Sequence, residues 1–367
     1  MAFSTLSRPE SSAARRSANS VVLSVGLIFL LFGLFAQTLR RAGVSEESAW
    51  SKLATLNKDN VQVDVAIVGD SRAHVGLAPA LLNESALGST HPGLRMFNFA
   101  ADGTDALHHA SFVVHGLLKQ ESPPALILWA PNPLSFNEVR KTNRPEQLTV
   151  ADIVSLGRNG ASLELLLDLF TPLLFPAYRF RADIKRKLDV VLESLVWIPV
   201  HAQTRLFKRG YVPYPKSREY DPTSEGYRPF RITRWREAFE RGEVDYAQKY
   251  RSARIGAVHL LAARDLLLAA KKAGSHVVIV EMPLSPWFVE NLATSEFHQT
   301  WRNEMSRLAG ECGATFLTDP GTGLKNEDFG DPAHLCRSAA ELVSARLGDR
   351  LDIIEGVSEA LKNKVSE

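Results

Sequence analysis

Three short segments of this chain hold residue types able to act on an ester carbonyl. The first is Gly69-Asp70-Ser71, which follows the apolar run Val63–Val68 (VDVAIV). A serine hydroxyl is a weak nucleophile until a base takes its proton, so the fold must bring a histidine to it. A carboxylate spaced to orient that imidazole, Asp-x-x-His, occurs twice: Asp105/His108 and Asp331/His334. Spacing does not separate them, but position does. Asp331 and His334 follow the last strand candidate and open the last helical run. Asp105 and His108 fall inside a helical run, where residues three apart merely share a face. Ser71, Asp331 and His334 are therefore the candidate catalytic residues. The same Gly-Asp-Ser also suits an ordinary strand-to-helix turn, with Asp70 or Ser71 as the N-cap.

Attack on a carbonyl also needs donors for the oxyanion. Gly103 lacks a Cβ and can bring its N–H close to a substrate, and Asn132 can donate from its side-chain amide. With the N–H of Ser71 they make a candidate oxyanion hole of Ser71, Gly103 and Asn132. His74 stands one turn beyond Ser71 and reads as structural. His108, His109 and His115 share a helical run without the carboxylate or cysteine spacing of a metal site. No Gly-rich phosphate loop is present. Neither cofactor nor metal is expected.

These residues are useful only if the elements before them converge. Strands are expected at Val63–Val68, Leu94–Phe99, Ala125–Ala130, His276–Glu281 and Ala314–Leu317, each an apolar run bounded by Gly, Pro or Asp. Helical runs cover Thr104–Gln120, Ala247–Ala273 (ending at Gly274) and Ala333–Leu347. Strands alternating with helices imply an α/β fold whose parallel sheet is covered on both faces. Ligands of such sheets lie beyond the carboxyl ends of the strands, where Ser71, Gly103, Asn132 and His334 all fall.

The rest of the chain frames that domain. Hydrophobic residues are 45% and charged residues 23% of the 367, which excludes a disordered or collagenous chain. A net charge of +2 is too balanced for a dedicated nucleic-acid binder. Two cysteines, Cys312 and Cys336, cannot build a disulfide framework; two buried free thiols are expected, with one disulfide between them as the alternative. From Ser17 to Leu39 no residue is charged, and 23 helical residues reach about 35 Å, enough to cross a hydrocarbon core of about 30 Å. The chain is therefore divided into a tail (1–17), a transmembrane signal anchor (18–39), a polar juxtamembrane linker with some helix (40–62), the α/β domain (63–350) and a C-terminal tail (351–367). Charge flanking the anchor does not orient it. A short tail before one anchor and a large domain after it suggest an extracytoplasmic domain, in a periplasm or at a cell surface. Residues 135–246 read as a helical insertion; from 140 to 250 there are 20 Lys+Arg against 14 Asp+Glu.

Taken together, Ser71 in Gly-Asp-Ser, Gly103 after Asn98, Asn132 after the third strand and Asp331/His334 near the C-terminus resemble the SGNH (GDSL-like) hydrolase superfamily. The resemblance covers about 63–134 and 247–347. It implies a flavodoxin-like parallel sheet, a Ser-His-Asp triad and an esterase or acyltransferase activity that needs no cofactor. Arg72 stands where the family often has leucine, Ala130 where it has glycine, and Pro133 where it has aspartate. The anchor, the Gly-Asp-Ser-Arg start and the long insertion are more loosely similar to membrane-anchored SGNH-like proteins of bacterial envelope polysaccharide acylation. That similarity implies an O-acylated carbohydrate or other O-acyl ester as substrate, envelope polysaccharide machinery as partner, and no nucleic acid. Two other classes fit parts of the pattern. One is a non-catalytic SGNH-fold interaction protein of such a complex. The other is a flavodoxin-like nucleotide binder, disfavoured by the missing phosphate loop.

Overall fold

A computed structural model describes residues 48–138, 148–158, 160–174, 250, 252–293, 296–318 and 320–365. Five parallel strands form its centre: β1 (Val65–Gly69), β2 (Met96–Asn98), β3 (Leu126–Ala130), β4 (His276–Val280) and β5 (Thr315–Leu317). They lie in the order β2-β1-β3-β4-β5. All five expected strands are present, shorter by one to three residues. Each is a β-branched or apolar run whose alternate side chains point to opposite faces.

Helices cover both faces. Ala66 and Val68, Ile127 and Trp129, and Val277 and Ile279 point to one face. There they pack on α1 (Ala49–Lys58), α5 (Ala106–His115), α8 (Ala257–Lys272) and α9 (Glu296–Cys312). Val65 and Ile67, Leu126 and Leu128, and Val278 and Val280 point to the other. That face is covered by α2 (Ser71–Gly76), α3 (Pro79–Glu84), α4 (Ala86–Thr90), α10 (Arg337–Asp352) and α11 (Glu355–Val365). The β1–β2 connection thus runs over one face and the β2–β3 connection over the other. Strand order therefore reverses between β1 and β3. Their carboxyl ends part around a crevice, the ordinary ligand position of such a sheet.

Several boundaries differ from the expectation. The polar stretch before 63 contains α1, which belongs to the domain: Leu53 and Leu56 are in the core, and the buried Lys52 Nζ donates to the carbonyls of Asn98 (3.2 Å) and Ala100 (2.7 Å). Beyond 350, where a tail was expected, α11 buries Val357 and Leu361 against the sheet. The last long helix begins at Arg337, not Ala333, because the residues before it form a small hairpin of β6 (Phe329–Asp331) and β7 (His334–Leu335). The insertion is closed at its base by a bridge between Asn137 and Ile255. Two of its helices are described, α6 (Val150–Arg158) and α7 (Leu163–Leu174), and Leu148, Ile153, Leu156 and Leu169 pack with Leu107 of α5. The basic run Lys185–Lys187 lies outside the described residues. So does the span expected over 18–39. Among the described residues, no helix is long and apolar enough to cross a membrane. Cys312 and Cys336 are buried free thiols, as expected.

Candidate active site

The turn from β1 into α2 explains Gly69-Asp70-Ser71 residue by residue. Gly69 pairs with Ala130 of β3, and a Cβ there would sit 2.5 Å from the Ala130 carbonyl oxygen and 2.7 Å from the Ala73 Cβ. Only glycine fits where the two strands and the helix meet. Asp70 is the N-cap of α2; its carboxylate accepts the N–H of Arg72 at 3.0 Å. Ser71 is the first helical residue and is left half-buried at the mouth of the crevice. The strand-to-helix turn expected here is present with Asp70 as its N-cap, and the same turn leaves Ser71 exposed enough to meet another side chain.

His334 reaches this serine from the far end of the chain. Its Nε2 lies 2.8 Å from Ser71 Oγ, and its Nδ1 lies 2.9 and 2.8 Å from the two carboxylate oxygens of Asp331. Asp331 and His334 face each other across the β6–β7 hairpin. Asp331 Oδ1 also accepts the N–H groups of Ala333 and His334, both at 3.0 Å, a side-chain turn that Pro332 favours by fixing φ. Ionised Asp331 accepts from Nδ1–H, which leaves Nε2 unprotonated toward the serine hydroxyl. Burial disfavours the imidazolium. Asp331 outweighs it by charge and hydrogen bond, Arg72 opposes, Asp70 assists, and the pKa of His334 ends above its ordinary value.

The three expected oxyanion donors come after the carboxyl ends of β1, β2 and β3. Ser71 N–H is at the first position of α2, where no intrahelical partner exists. Gly103 adopts φ +77°, a left-handed conformation that favours glycine. Asn132 follows β3, and its side-chain Oδ1 accepts from Arg72 Nη2 at 3.1 Å and Leu134 N–H at 2.9 Å. Among the described residues no protein acceptor engages Gly103 N–H or Asn132 Nδ2.

The loop that carries Gly103 is heavily braced. Asn98 Nδ2 donates to the carbonyls of Ala73 and Leu77, and its Oδ1 accepts from Ala100 N–H. Ala101 N–H and Thr104 Oγ1 both donate to the Gly69 carbonyl. His74 Nδ1 pairs with Asp102 Oδ1 at 2.9 Å, linking α2 to the residue beside Gly103. Beneath, Trp129 Nε1 donates to His109 Nδ1, so His109 carries its proton on Nε2, next to Thr104 Oγ1. Burial pushes His109 down to about 4, and it is neutral at physiological pH.

The second Asp-x-x-His does different work. Asp105 is the N-cap of α5, accepting Leu107 and His108 N–H groups, and His108 Nδ1 returns to its carboxylate at 2.7 Å. Burial opposes the Asp105 charge, and His108 more than offsets it, holding the carboxyl well below the usual range. This pair is a buried helix cap. Sequence reasoning gave no role to Arg72 or Asp102, whose partners lie 60 and 28 residues away. Among the described residues no group of three His, Cys, Asp or Glu could hold a metal ion. No family model matches this chain, and no curated protein matches it.

Proposed function

We propose that this chain is a serine O-acyl esterase or O-acyltransferase of the SGNH type. The observation that carries the reading is the Ser71–His334–Asp331 chain of hydrogen bonds, each link 2.8–2.9 Å long, at the crevice between β1 and β3. The strand order 2-1-3-4-5 is the flavodoxin-like one that this resemblance requires.

In this reading His334 Nε2 takes the Ser71 proton as Oγ attacks the acyl carbonyl. Asp331 stabilises the imidazolium so formed. The oxyanion is held by Ser71 N–H, Gly103 N–H and Asn132 Nδ2. The imidazolium then protonates the departing alcohol oxygen, leaving an acyl-serine. Water, or a carbohydrate hydroxyl, next gives its proton to His334 and attacks the acyl carbon, and Ser71 leaves with that proton restored. Water as acceptor makes an esterase; a sugar hydroxyl makes a transferase. The charge-free stretch 17–39 supports anchoring in a membrane, with the domain outside the cytoplasm and an O-acylated envelope carbohydrate as substrate.

The test uses the full chain in detergent with a fluorophosphonate probe and a short-chain aryl ester. Wild type should take the label, and Ser71→Ala should not. Ser71→Ala and His334→Ala should each lose at least about 10³-fold in turnover, and the double variant should lose no more than either alone. An unlabelled, inactive wild type refutes the assignment and favours a non-catalytic role for the fold.

A further inference from the structure

Resting on the serine-hydrolase reading, the geometry points to Arg72 as a positioning residue that sets the orientation of the oxyanion donor Asn132. A carboxamide is nearly symmetric in shape, so packing alone does not decide whether oxygen or nitrogen faces a substrate. Here two donors decide. Arg72 Nη2 and the Leu134 N–H both point at Asn132 Oδ1, at 3.1 and 2.9 Å. Turned over, the amide would set its NH2 group against two N–H donors. The observed orientation sends Oδ1 inward and leaves Nδ2 for the crevice.

Arg72 is built into this place. It is 4% exposed, its guanidinium carbon lies 5.8 Å from the centroid of the buried Phe288 ring, and its backbone N–H is fixed by Asp70. A hydrogen bond from a cation withdraws charge from the amide oxygen and leaves the Nδ2–H dipole stronger, in a setting too buried for water to screen it. Arginine thus follows the nucleophile because one residue serves both sides of the crevice: its backbone begins α2 and its side chain fixes the amide beyond β3. It also faces His334, where its charge acts against the imidazolium, with Asp331 and Asp70 acting for it.

The test compares wild type, Arg72→Leu, Asn132→Ala and the double variant in the full chain, measuring kcat and KM on an aryl ester from pH 5 to 9. Arg72→Leu should lower kcat about 10- to 100-fold, a fraction of what loss of one oxyanion donor costs, with KM within about twofold. Arg72→Leu should cost nothing further once Asn132 is alanine. The acid limb of kcat/KM should move to higher pH in Arg72→Leu, a change that lost packing would not produce. Arg72→Lys, which keeps the cation, should recover part of kcat, and it decides by the same comparisons if Arg72→Leu does not unfold cooperatively. Wild-type kcat in Arg72→Leu, or losses that multiply in the double variant, overturns the proposal alone. A wild type with neither turnover nor fluorophosphonate label overturns the serine-hydrolase reading and this proposal with it.

Discussion

Replacing Asp331 by asparagine keeps the shape of the hairpin and should remove the base. Asp331 Oδ1 accepts two backbone N–H groups at 3.0 Å, and these cannot tolerate an NH2 group in the same place. The asparagine must keep its oxygen there, so its NH2 takes the position of Oδ2, 2.8 Å from His334 Nδ1. Nδ1 then faces the new NH2 at 2.8 Å beside the retained, now uncharged oxygen at 2.9 Å; where it accepts from the NH2, the ring proton moves to Nε2, and Nε2–H faces Ser71 Oγ as a donor. A wrong tautomer of this kind costs about 10⁴-fold in a serine protease, so a loss of about 10³–10⁴-fold in kcat is expected here. The pH profile gives a second sign. Neutral His334 is the active form, so wild-type kcat/KM should fall as pH drops through a pKa raised above about 6.5. In Asp331→Asn the raising charge and hydrogen bond are gone while burial and Arg72 remain, so the acid limb should move to lower pH. Thermal unfolding should change little, because both backbone bonds survive. Activity within tenfold of wild type, or an acid limb that moves up, refutes the tautomer argument.

Gly69→Ala should destabilise the domain by about 1–3 kcal/mol in denaturant titrations, because the new Cβ meets the Ala130 carbonyl; an unchanged midpoint would contradict that close approach. Lys52→Met should cost about 2–4 kcal/mol by leaving the Asn98 and Ala100 carbonyls without their donor, read in the same titration, and a neutral result would show those carbonyls satisfied otherwise. Asp102→Ala frees the Gly103 loop from His74 and should reduce kcat on the order of tenfold at constant KM; a change in KM alone would deny the loop a part in the chemical step. Reporter fusions after residue 60 should be active only for a reporter that works outside the cytoplasm, and a cytoplasmic signal would remove the envelope substrate.

The sheet was legible because its signal is local. Runs such as VDVAIV, ALILWA and HVVIVE are short, apolar and bounded by Gly, Pro or Asp, the mark of strands buried on both faces. Helix α9 left a weaker trace: Phe297, Trp301, Met305, Leu308 and Cys312 make a buried stripe, but charged and polar residues fill the positions between. The β6–β7 strands are two and three residues long, too short for any periodicity, so the Asp-x-x-His read as the start of a helix. Ser71 could be selected because it directly follows β1, and Asp331 and His334 because they come after the last strand of the parallel sheet, although the structure puts them in a small hairpin of their own. Arg72 could not. Its meaning rests on a contact with Asn132 that no local pattern encodes, and in the sequence it looks only like a departure from a familiar motif. Lys52 was hidden in the same way, within a stretch whose polarity suggests a linker.

The hairpin that holds Asp331 and His334 has a mechanical consequence. Asp331 and His334 are fixed to each other by a side-chain turn and a shared pair of short strands, so they translate as one piece. Ser71 belongs to another piece, clamped between β1 and α2. The two pieces meet at the 2.8 Å separation between Ser71 Oγ and His334 Nε2. The Ser285 N–H bond to the Pro332 carbonyl, 3.2 Å long, ties the hairpin tip to the segment after β4 and so bears on that separation. A displacement of the segment changes the reach of the base without disturbing its tautomer. Substitutions in 283–286, which do not touch Arg72, should therefore act on rate more than on the acid limb.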